Sequence, residues 1–130
     1  MLQQYFLVGI GGACGAILRA FLADMLPATL GGIPLPILVI NIIGCSLMGL
    51  VAGFMFSIIP ISDLNRYFWV TGFLGGFTTF SAFAFDFGVL VEKEHITASI
   101  IYVISTIFCS LLGFIVVMRS VSLIIQNLRP

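Results

Sequence analysis

The sequence predicts an all-α integral membrane protein with four transmembrane helices, the third of them broken near mid-membrane. Composition gives the class: of 130 residues, 61% are hydrophobic and 8% charged, with a mean hydropathy of +1.26. A soluble domain carries about 25% charged residues, and so few charges do not cover a globular surface. Charge placement gives the number of spans. Met1 to Leu18, Met25 to Ser62, Tyr67 to Phe85 and His95 to Met118 hold no Asp, Glu, Lys or Arg. A helix crossing the ~30 Å hydrocarbon core needs about 20 apolar residues. The stretch GGFTTFSAFAF at residues 75–85 gives the break. A helix made to fill lipid would not place two glycines and two threonines where it should be most regular.

The four spans lie at roughly 4–24, 36–59, 67–90 and 97–123 in a single domain over residues 1–130. The first lacks the basic N-terminal region of a signal peptide. Its glycines, Gly9, Gly11, Gly12 and Gly15, suit helix packing, so it is expected to stay in the mature protein. The turn between the first two spans is PATLGGIPLP, Pro27 to Pro36. Small residues recur at packing spacing: Gly11 and Gly15, Gly49 and Gly53, Gly72 and Gly76, with Gly12 and Ala16 beside them. In lipid, association relies on close backbone approach at such positions. Four short spans do not easily enclose a water-filled path, so a homo-oligomer with the path at a subunit interface is expected.

The remaining features narrow the function classes. Formal net charge is +0, which gives no electrostatic reason for a nucleic-acid partner. Cys14, Cys45 and Cys109 lie in apolar spans without metal spacing and read as small packing residues. His95 stands beside Glu92, Lys93 and Glu94 as a solvated loop residue. With no nucleophile–base set and no phosphate loop, an enzyme is not expected. Arg66, Arg119 and Arg129 fall on or near one side and Arg19 and Lys93 on the other. Such a weak charge bias permits insertion in both orientations.

Polar groups inside the membrane are costly unless paired, so they are functional candidates. Asn41, deep in the second span, either bonds another helix or donates to an anion in a pore. Arg19, near the end of the first span, either snorkels to the interface or gives an anion vestibule its positive potential. Asp86 falls seven residues after Thr79, on nearly the same face, and either ends a polar track or marks the interface. At a break, freed carbonyls suit a cation and the next helix N-terminus suits an anion. Phe80, Phe83 and Phe87 follow at i, i+3 and i+7. Each ring has a positive edge, which turned inward replaces part of an anion's water shell; turned outward, the rings meet lipid or pack.

GGACGAILR (Gly11 to Arg19), NIIGCSLMG (Asn41 to Gly49) and TGFLGGFTTFSAF (Thr71 to Phe83) resemble the signature segments of the Fluc (CrcB) fluoride channels. The resemblance covers the whole chain, and its third motif is the most specific. It implies an antiparallel, dual-topology homodimer in a bacterial inner (cytoplasmic) membrane, with two fluoride paths and a central sodium ion. By that resemblance, the sodium ligands are the backbone carbonyls of Gly75 and Thr78. The pore phenylalanines are Phe80 and Phe83, the pore asparagine is Asn41 and the vestibule arginine is Arg19. Ser81 belongs to a hydroxyl track, and Tyr102 and Ser110 come from the fourth span. The family pattern TTFSTF reads TTFSAF here, so Ala82 removes one hydroxyl from that track.

Two other readings stand beside this one. A small dual-topology exporter of organic cations would need an acid within the first span, where the nearest is Asp24 at its far end. A non-transporting assembly subunit would use its glycine faces to bind another protein.

Overall fold

The computed structural model describes residues 2–57 and 62–128. Helix α1 spans Leu2–Met25. A short hairpin, β1 (Thr29–Leu30) and β2 (Ile33–Pro34), leads into α2, Leu35–Ser57. The third span is composite. A turn of helix, α3 (Asp63–Arg66), continues as a π-helical segment over Tyr67–Leu74 and then as α4, Gly75–Phe77. Thr78 and Thr79 are extended, with ψ of 151° and 122°. Helix resumes as α5, Phe80–Glu92, and the chain ends in α6, Ile96–Leu128. Among the described residues, four stretches are long and apolar enough to cross a membrane: 2–25, 35–57, 63–92 and 96–128.

The first, third and fourth spans outrun their sequence-based limits, while α2 begins one residue early and is described only to Ser57. Nothing between Arg119 and Leu128 breaks a helix, because Ser120, Ser122 and Gln126 change the solvent preference and not the backbone. Arg129, one of the charges behind the expected orientation bias, lies outside the described residues, as do residues 58–61. The expected turn at 27–36 is a two-residue hairpin. Thr29 pairs with Pro34 and Leu30 with Ile33. Gly31 and Gly32 take φ of +60° and +83°, the left-handed values that tight hairpins require and that glycine adopts without steric cost.

The spans form two parallel pairs. In the first, α1 lies against the π-helical segment and α4. A Cβ at Gly11 would stand 2.5 Å from the Phe68 carbonyl oxygen and 2.9 Å from the Phe73 nitrogen. Gly15 meets the Phe73 carbonyl and Gly76 meets Gly12, backbone to backbone. In the second pair, Gly49 of α2 lies on the Phe114 backbone of α6, and Gly53 lies on Met118 and Val121. All three GxxxG pairs are therefore used inside one chain. They pack the protomer and leave the expected oligomer interface to other residues.

Candidate functional site

A cleft of about 290 Å³ lies where α2, the extended Thr78–Thr79 link, α5 and α6 converge. Its polar lining comes from Asn41, Thr78, Thr79, Thr106 and Ser110, and its aromatic lining from Phe80 and Phe83. The geometry is set by one side chain. Asn41 accepts from the Thr79 amide (2.9 Å) through Oδ1 and donates to the Thr79 carbonyl (3.1 Å) through Nδ2. An amide carries two N–H groups, so a second one remains beyond this pair.

That clamp explains the interruption of the third span. In a regular helix the Thr79 amide would close onto the Gly75 carbonyl. Here it is held by Asn41. The Ala82 amide, which would close onto the Thr78 carbonyl, instead donates to Thr79 Oγ1 at 3.2 Å. Thr79 is thus the N-cap of α5. The Thr78 hydroxyl turns back to the Leu74 carbonyl at 2.9 Å. Both carbonyls expected to hold sodium have helical donors that bond elsewhere. That pattern fits a hard cation that binds through backbone oxygens.

Aromatic rings run from the cleft along α5. Phe80 and Phe83 have centroids 5.3 Å apart, and Phe83 and Tyr102 are 5.2 Å apart. Phe83 is 6% exposed and Phe80 76%. Tyr102 is fully buried in a cluster with Phe83 and Leu90, over which Ile33, Ile37 and Leu38 pack. Its hydroxyl donates to Asp86 Oδ2 at 3.1 Å. Asp86 therefore marks one end of this ring series.

Of the residues singled out in the sequence, Asn41, Thr78, Phe80, Phe83 and Ser110 share the cleft, and Gly75 does not line it. Tyr102 joins through its ring contact. Ser81 is exposed, with its hydroxyl 3.1 Å from Thr79 Oγ1. Arg19 is separate, since α1 lines no part of the cleft. Its Nε is buried without a hydrogen-bond partner. Thr106 was not singled out, yet its Oγ1 and that of Ser110 are buried at the cleft without partners. Tyr102, Thr106 and Ser110 recur at i, i+4 and i+8, one stripe of a helix, and that spacing was the available signal.

Asn41→Ala leaves the Thr79 amide and carbonyl without their partners, at about 1–3 kcal/mol for each buried group. A clearly lowered denaturation midpoint in detergent is expected. A midpoint equal to that of the parent protein would show that the clamp does not hold the link.

Four helices long and apolar enough to cross a membrane, with buried, unpartnered hydroxyls in a cleft between them, define the class: a multi-pass membrane protein. Residues 6–118 match the family model described as CrcB-like protein, Camphor Resistance (CrcB). The chain belongs to the CrcB family. It is 41% identical over 120 residues to the fluoride-specific ion channel FluC of Francisella tularensis subsp. tularensis (strain SCHU S4 / Schu 4), covering 86% of this chain and 92% of that one. The channel of the same name from Desulfovibrio desulfuricans is 38% identical over 117 residues, covering 87% and 91%. That from Pyrococcus furiosus is 36% identical over 122 residues, covering 91% and 98%.

Proposed function

We propose that this chain is a fluoride-selective channel that lets fluoride leave the cell passively across the bacterial inner membrane. The family is one of channels, not enzymes. The observation that carries the reading is the pair of buried, unpartnered hydroxyls of Thr106 and Ser110 opposite Phe80 and Phe83. Such donors are costly to bury empty-handed, and a small anion stripped of water supplies the missing acceptor. Ring edges add positive partial charge, and so does the first turn of α5. The second Asn41 N–H completes a donor set that suits a compact anion.

The working unit in this proposal is an antiparallel homodimer with two such paths. The weak charge bias supports two orientations, and the exposure of Phe80 supports closure of the path by a second copy. Gly75 and Thr78 of each copy would hold a central sodium ion through backbone carbonyls. Sodium bound there supplies a fixed positive charge that lowers the cost of an anion in hydrocarbon. Asn41 withdraws the Thr79 amide from the Gly75 carbonyl, and Thr79 Oγ1 withdraws the Ala82 amide from the Thr78 carbonyl.

The test is fluoride efflux from liposomes holding the purified protein, with chloride as the paired control. Fluoride efflux without chloride efflux is expected. Proton-driven uptake of an organic cation in the same vesicles, without fluoride efflux, would replace the channel with an exporter.

A further inference from the structure

A second cleft, of about 380 Å³, lies at the other end of the α2–α6 pair. Ser57, the last residue of α2, lines it together with Arg119, Ser122 and Gln126 of α6. The three α6 residues are spaced three and four apart, so they share one helix face. Among the described residues, this lining contains one cation and no carboxylate. Ser57 donates to Ser122 Oγ at 3.1 Å. A hydroxyl that accepts still has its own hydrogen to give, so Ser122 can donate into the cleft. Arg119, Ser122 and Gln126 together present several donors and a full positive charge.

Depth decides what chemistry meets this cleft. At about 1.5 Å per residue, α6 is roughly 50 Å long, well beyond the ~30 Å hydrocarbon core. Arg119 stands roughly 35 Å along that axis from Ile96, and α2 ends at Ser57 after a similar rise. Both helix pieces therefore reach the level of lipid headgroups together. Phe56, Leu123, Ile124 and Leu128 are exposed around the same end. Apolar flanks beside a cationic, donor-rich cleft match a molecule with a charged head and hydrocarbon tails.

We propose that this cleft binds the phosphate of an anionic phospholipid headgroup. The Arg119 guanidinium takes the phosphate oxygens, as its planar fork suits them. Ser122 and Gln126 donate to the remaining headgroup oxygens, and acyl chains follow Phe56. The site is separate from the proposed fluoride path and does not depend on it.

Native mass spectrometry of the purified full chain tests this, with phosphatidylglycerol or phosphatidylcholine added at equal concentration. Preferential retention of phosphatidylglycerol is expected. Arg119→Gln should cut that retention about fivefold, the worth of one basic residue at an anionic surface, and leave phosphatidylcholine unchanged. Arg119→Lys should restore part of it. If Arg119→Gln does not fold, the Ser122→Ala, Gln126→Ala double variant carries the same expectation. Equal retention of the two lipids, or no loss in a folded variant, would overturn the proposal. So would displacement of phosphatidylglycerol by millimolar inorganic phosphate, which would assign the cleft to the free ion.

Discussion

For the proposed channel, Phe80→Ile and Phe83→Ile should each reduce fluoride efflux to the level of empty liposomes, while the two variants should differ in stability. Isoleucine keeps an apolar side chain but has no ring edge, so in the proposed mechanism it withdraws the partial charge that would replace the anion's water. The stability difference comes from burial. Phe83 is enclosed against Tyr102 and Leu90, and a change of shape there costs about 1–3 kcal/mol. Phe80 is largely exposed in the single chain, and its replacement falls within about 0.5 kcal/mol, as surface changes do. Efflux assays and unfolding of the purified variants measure the two effects separately. Normal efflux in both would remove the rings from the mechanism. Efflux lost only in proportion to stability would make them packing residues.

Gly15→Val and Gly76→Val give little or no folded protein. At each position the added side chain would enter backbone of the neighbouring helix, at the Phe73 carbonyl and at Gly12. Backbone cannot rotate aside as a side chain does, so α1 would have to move away from the third span. Overpacking of this kind costs about 3 kcal/mol or more, a large part of the usual stability margin. Gly9→Ala is the matched control, since nothing lies within 4 Å of where its Cβ would stand. Folded yield after detergent extraction, followed by size-exclusion chromatography, separates the outcomes. A well-folded Gly15→Val variant would mean that α1 and the third span do not meet at these glycines.

The spans were legible because charge is nearly excluded from hydrocarbon, so its absence marks them directly. The packing faces were legible for the same kind of reason, since backbone contact leaves room for glycine alone. The use of those faces was not legible. Spacing says that Gly11 and Gly15 meet something, and the structure places that something within the same chain. The third span shows a sharper limit. Gly75 and Gly76 suggest a weak point, yet both lie within α4, and the backbone leaves helical geometry at Thr78 and Thr79. Gly76 is there to meet Gly12. The interruption follows the Asn41 clamp, a contact 38 residues apart in sequence, which no local pattern encodes. The π-helical segment over Tyr67–Leu74 also has no marker in its composition.

The Asn41 clamp also imposes an order of events on biogenesis. A helix interrupted by a neighbour's side chain cannot be interrupted before that neighbour docks. On its own in lipid, the third span has every reason to close its own hydrogen bonds through Thr79, as one continuous rod. Only after α2 has docked can its amide group take over the Thr79 pair. The Asn41 clamp at Thr79 can therefore form only once the second span has docked against the third.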